Sequence, residues 1–192
     1  ITTLGMMIFG RGLATIMAGG NNVPIADTGY NSIGQDSLFG VQYPIWVSLM
    51  FVAAGDFLLR KSRYFRQNYY IGGNEHSAVL SGIPVVRVKI QNYMLSGALA
   101  AVAGILLSAR LGNGSLTAGI NMEFKAVTGA IIGGCALSGG KGTVLGAFFG
   151  AMLMATIDSA INIMPVDTYW QEFVTGIILI LAIIVDSIGK KR

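Results

Sequence analysis

Residues 174–185 read Val-Thr-Gly-Ile-Ile-Leu-Ile-Leu-Ala-Ile-Ile-Val, twelve positions without a charge, lying inside a longer apolar segment from Tyr169 to Ile188. A soluble core helix shows a polar face every turn, whereas this stretch is apolar all round, which fits a helix dissolved in lipid. The same character recurs over Tyr93 to Leu107. Hydrophobic residues make up 53% of the 192-residue chain and charged residues 11%, against about 25% charged in a typical soluble domain. The bilayer is therefore the solvent to reason from.

Working outward, six apolar segments appear. The first, Ile1 to Ala18, is followed by a polar loop, Gly19 to Gln42, free of Lys and Arg. The second starts at Tyr43, Pro44 and Trp46, aromatics suited to the headgroup level, and ends at Leu59 against Arg60, Lys61, Arg63 and Arg66. A polar, basic stretch runs from Arg60 to Gln91, and the third segment covers Asn92 to Leu111, closed by a loop over Gly112 to Asn121. The fourth, Phe124 to Ser138, has about 15 residues and would reach only about 22 Å of a ~30 Å core, so a truncated, tilted or discontinuous helix is expected. The fifth, Thr143 to Met164, stops at Pro165, and the sixth stops at Gly189 before Lys190, Lys191 and Arg192.

Charge orients this array. With the C-terminal tail placed in the cytoplasm, ten of the thirteen Lys and Arg fall inside, among them Lys141, Arg87 and Lys89, and only Arg110 and Lys125 approach the outer boundary. A net charge of +4 thus reflects topology, and no nucleic-acid partner is expected. Ile1 opens an apolar segment with no cleavage-site pattern after it, read as a membrane helix already under way rather than a signal peptide. Residues 1–192 are expected to form one transmembrane domain, the C-terminal part of a longer protein. The expected architecture is all-α: a polytopic bundle of about six membrane segments, one of them short.

Small residues recur at spacing four, Gly142, Gly146 and Gly150, with Ala147, Ala151 and Ala155 on the adjoining stripe. Such faces let helix backbones approach closely, where van der Waals packing drives association in lipid. The stretch Gly139-Gly140-Lys141-Gly142-Thr143 resembles a phosphate loop superficially. That motif needs Gly where Cys135 stands and Ser or Thr where Gly142 stands, so a tight turn between two membrane helices is the reading. His76 is the only histidine and Cys135 the only cysteine. No nucleophile, base and orienter set appears, and no metal-ligand spacing; Cys135 is read as a small packing residue.

Arg11 lies mid-segment, where a charge is costly: it lines a wet pathway, snorkels from near a helix end, or pairs with Asp56 or Asp158. Asp158 and Asn162 share one helix face, as do Asn121 and Lys125. These groups either line a polar cavity or satisfy one another at a helix interface; Arg11, Asn121, Asp158 and Asn162 are the candidate pathway residues. In the inner loop, Gly72, Gly73 and Asn74 can begin a short helix that Gly82 and Pro84 end, with Ala78, Val79, Leu80 and Ile83 as apolar contacts. It serves either as a lever on the cytoplasmic face or as an interfacial helix on lipid.

Gly-Gly-Asn-Glu at 72–75, Ser-Gly-Ile at 81–83, Gly-Gly at 133–134, Ser-Gly-Gly-Lys-Gly at 138–142, Tyr-Trp-Gln at 169–171 and Gly-Arg-Gly at 10–12 carry a resemblance over essentially the whole chain. It resembles the permease subunits of bacterial ABC importers for simple sugars, the ribose, xylose and galactoside type. Such permeases have further N-terminal membrane segments. The resemblance implies a pathway formed by two permease subunits in the inner membrane, a cytoplasmic ATP-binding subunit, and a periplasmic or lipid-anchored sugar-binding protein. ATP and Mg would be bound by the ATPase, and no cofactor by this chain. The short inner helix would be the coupling helix, with Gly73, Asn74, Glu75, Ala78, Ser81, Gly82 and Ile83 seated against the ATPase. An ion- or proton-coupled secondary transporter, with Asp56, Asp158 and Asp186 as titratable candidates, and a non-transport membrane scaffold are the competing classes.

Overall fold

The computed structural model describes residues 2–163 and 169–189, with the side chains of Tyr169 and Ile188 outside the described set. Pro165, expected to stop the fifth segment, and the basic tail Lys190–Arg192 also lie outside it. All six apolar segments are helices: α1 (Thr2–Met17), α3 (Tyr43–Lys61), α6 (Val85–Leu111), α7 (Met122–Ile132), α8 (Val144–Ile163) and α9 (Tyr169–Gly189). Four of them, α3, α6, α8 and α9, are long and apolar enough to cross a membrane. The chain is a helical, polytopic membrane protein. Helix α7 has 11 residues and rises about 16 Å, shorter still than Phe124 to Ser138, because Gly133 caps it and residues 133–143 turn back without helix.

Three expectations change. The Gly19–Gln42 stretch contains α2 (Thr28–Gln35), begun by Asp27 accepting from the Gly29 amide at 2.8 Å. It also carries short strands β1 (Val23–Pro24), β2 (Ser37–Leu38) and β3 (Val41–Gln42). The basic stretch contains a second helix, α4 (Arg63–Gly73), ahead of α5 (Glu75–Leu80). Its polar side chains hide its amphipathic order from an apolar-run reading. Finally, α6 begins at Val85, so Arg87 and Lys89 belong to the membrane helix itself. Pro84, which lacks an N–H to satisfy, opens it by accepting from Val88 N at 3.1 Å.

The chain divides into two compact units. The first holds residues 1–50 and 92–120. In it, β1 pairs antiparallel with β4 (Asn113–Gly114), Val23 opposite Gly114, so the two loops lacking Lys and Arg meet each other. Helix α2 lies on the end of α6: Gly34 is buried against the Ala109–Arg110 backbone, and the Tyr30 hydroxyl sits 2.6 Å from Ser108 Oγ.

The second unit holds residues 51–91 and 121–192, and α7 packs on α8 and α9 within it. A Cβ added to Gly150 would overlap the Gly129 carbonyl, one on Gly146 the Gly133 carbonyl, and one on Gly129 would come within 2.9 Å of Ala151 Cα. Backbone therefore meets backbone, as small-residue faces in lipid allow. Gly142, grouped by spacing with these glycines, stands in the turn before α8, where its packing neighbour is Cys135. Among the described residues, few side chains are buried: those of Ala78, Val85, Val88, Ala109 and Met154, with Thr128 and Thr175, beside the glycines Gly34, Gly129 and Gly150. Outward-facing Leu, Ile, Phe and Met line the helices instead, the distribution lipid-facing helices need.

Candidate functional site

The inner-loop helix is built by its caps. Asn74 ends α4 in extended conformation and begins α5, its Oδ1 accepting from Ser77 N at 3.1 Å. At the other end, Gly82 adopts φ +79. Its amide donates to Val79 O at 3.0 Å, and the Ile83 amide reaches back to Ala78 O at 3.1 Å. This pair of bonds is a Schellman closure, which needs the left-handed residue that glycine supplies without strain. Ser81 Oγ donates to Ser77 O at 2.9 Å. Ala78 is buried at 3% exposure, while Val79 and Leu80 stand out at 54% and 78%. Glu75 takes both carboxylate oxygens to Lys89 Nζ at 2.7 and 2.8 Å, tying α5 to α6. His76 is exposed. Six of the seven coupling candidates, Asn74, Glu75, Ala78, Ser81, Gly82 and Ile83, thus shape or anchor α5, and Gly73 ends α4.

The polar candidates of the second unit form three pairs. Lys125 Nζ of α7 meets Asp158 Oδ2 of α8 at 2.7 Å, with side chains 31% and 20% exposed. Asn121 Nδ2 donates to Glu172 Oε1 at 3.0 Å, and Gln171 Nε2 donates to Asn162 Oδ1 at 2.6 Å. Between them, these bonds link α7 to α8 and to α9, and α8 to α9, near one end of each helix. The other Asp158 oxygen is buried with no hydrogen-bond partner among the described residues. Asn121 holds a left-handed conformation, φ 62. Lys125, Gln171 and Glu172 complete the set: the sequence places Lys125 on the face of Asn121 and near the outer boundary, and Gln171 only within the Tyr-Trp-Gln motif. Glu172 gave one legible signal, an acid in the first turn of α9.

Arg11 belongs to the first unit and is exposed in α1 between Gly10 and Gly12, its carbonyl accepting from Thr15 Oγ1 at 3.0 Å. The carboxylates weighed as its partners bond elsewhere, Asp56 to Arg60 at 2.7 Å and Asp158 to Lys125. Cys135 is a half-buried free thiol under the 138–142 turn. Among the described residues, no group of three or more His, Cys, Asp or Glu side chains converges to hold a metal ion.

The chain matches several curated sugar permeases. It is 34% identical over 192 residues to the L-arabinose ABC transporter permease AraH of Azospirillum brasilense, across all of this chain and 57% of that protein. It is 36% identical over 189 residues to the ribose import permease RbsC of Bacillus subtilis, across 97% of this chain and 58% of the relative. With the xylose transport permease XylH of Haemophilus influenzae it shares 42% identity over 153 residues, 80% of this chain and 41% of XylH. The matched part therefore covers 57–58% of the arabinose and ribose permeases and 41% of the xylose permease. No solved structure matches it. The family described as branched-chain amino acid transport system / permease component matches residues 1–183, and to that family this chain belongs.

Proposed function

We propose that this chain forms part of the solute pathway of an ATP-driven importer for a monosaccharide, of pentose size, in the bacterial inner membrane. A second permease subunit, a cytoplasmic ATP-binding subunit that holds ATP and Mg, a periplasmic or lipid-anchored sugar-binding protein and the surrounding lipids are its partners. The chain contributes no covalent chemistry. The observation that carries the reading is α5: a separately capped helix, buried at Ala78 and offering Val79 and Leu80 outward, tied to a membrane helix by Glu75 and Lys89. A helix so held moves as a body when pushed, which is what alternating access driven from outside the membrane requires. The names of the relatives, arabinose, ribose and xylose permeases, support the solute class.

In this reading the C-terminus and the stretch from Arg60 to Gln91 face the cytoplasm, and Arg11, Asn121, Asp158 and Asn162 border the pathway. Full-length protein reconstituted in proteoliposomes with its ATPase and binding protein should take up labelled pentose only with ATP. Replacing Glu75, Ser81 and Gly82 together should abolish that uptake. Uptake untouched by the triple replacement, or uptake that collapses with the proton gradient while ATP persists, would overturn the reading. Leucine uptake that pentose does not compete with would move the solute class to that named in the family's description.

A further inference from the structure

The turn Ser138–Gly142 lies outside α5 but packs on α4, the helix that leads into it. Gly72, in the last turn of α4, faces Gly139 and Gly140 with no side chain between them: a Cβ on Gly72 would overlap Gly140 N. From the other side, a Cβ on Gly139 would lie 3.0 Å from Gly72 Cα and one on Gly140 2.8 Å from Gly73 N. One turn earlier in α4, the Tyr69 hydroxyl donates to Gly142 O at 2.7 Å, in a half-buried setting. On its far side the turn is held to α9, where Leu137 N donates to Asp186 Oδ2 at 3.2 Å. Ala136 N closes the turn on Lys141 O at 3.1 Å, and α8 begins two residues beyond it, at Val144.

We infer that this turn is a mechanical joint that carries displacement of α4 and α5 into α7, α8 and α9, with Tyr69 and Gly72 as its positioning residues. The inference rests on the proposed transport function. A contact made of backbone against backbone has no rotamers through which to absorb a push, so motion at Asn74 passes to the turn rather than being lost in side-chain rearrangement. The glycines of Ser-Gly-Gly-Lys-Gly are thereby explained by contact as well as by turn geometry.

The test measures solute moved per ATP hydrolysed, in proteoliposomes of the full-length permease with its ATPase and binding protein. Tyr69→Phe keeps the ring and removes one hydrogen bond, so the ratio should fall about fivefold while ATP turnover and co-purification of the ATPase stay at wild-type levels. Gly72→Ala forces the two backbones apart and should lower the ratio by about tenfold or more. A purely structural role would instead reduce assembly, ATP turnover and uptake together. If Gly72→Ala fails to assemble, Tyr69→Phe decides. Wild-type protein without ATP-driven uptake would overturn the transport reading and this inference with it. Wild-type coupling kept by both variants would overturn the joint alone.

Discussion

At the scale of single residues, the Lys125–Asp158 pair makes the sharpest demand. Both side chains are mostly withdrawn from solvent, and one Asp158 oxygen already lacks a partner among the described residues. Removing Lys125 alone strands a carboxylate between two helices, which should cost on the order of 2 kcal/mol; removing both charges should cost less, because no orphan remains. Thermal unfolding of detergent-solubilised protein should therefore rank Lys125→Met below Lys125→Met/Asp158→Leu. The opposite order would mean that the pair is solvated in the assembled protein. The Glu75–Lys89 bridge differs, since its side chains are 56% and 47% exposed. Glu75→Gln should shift unfolding by no more than about 0.5 kcal/mol, so any loss of uptake in that variant reports coupling rather than folding. The sequence made Asp158 and Asn162 recognisable as one helix face. It could not disclose Glu172 as the partner of Asn121, because that bond closes across 51 residues, and helical spacing speaks only to neighbours three and four apart.

At the scale of elements, the glycines separate by what surrounds them. In α8, Gly146 and Gly150 press on α7, so Gly150→Ala drives a methyl into the Gly129 carbonyl and should destabilise by about 2 kcal/mol, as overpacking does. In α6, Gly97 and Gly104 have nothing within 4 Å of where a Cβ would stand. Ala there should be neutral or stabilise by up to about 1 kcal/mol through helix propensity. Unfolding midpoints of the three alanine variants test the contrast. A loss at Gly97 or Gly104 equal to that at Gly150 would reveal a further segment packed on α6. The interval of four sets Gly146 and Gly150 on one face of α8, and the glycines they meet, Gly129 in α7 and Gly133 at its cap, repeat the same interval. Gly142 obeyed the interval without belonging to the helix, since periodicity carries no mark of where a helix starts. Helix α5 was legible because both of its ends are written in local chemistry, Asn74 and Gly82. Helices α2 and α4 were not, because each alternates polar and apolar groups without a long apolar run.

At the scale of the whole molecule, the question is whether loops alternate across the membrane as the charges demand. Connections one and three in the chain order, residues 19–42 and 112–121, meet through Val23 and Gly114. Connections two and four, the 60–91 stretch and the 136–142 turn, meet through Gly72 and Gly140. Within each unit the loops that meet are two connections apart, which an even number of crossings between them allows independently of the Lys and Arg count. The two lines of argument give one prediction. In a Cys135→Ala background, Asn21→Cys should react with a membrane-impermeant maleimide in intact spheroplasts. His76→Cys, on the exposed surface of α5, should react only after the membrane is opened. Reversed labelling would invert the orientation while preserving the loop pairing. Labelling of both from one side would instead require an even number of crossings between residues 21 and 76, where α3 supplies one, and so would break the link between apolar segments and membrane spans on which the orientation depends.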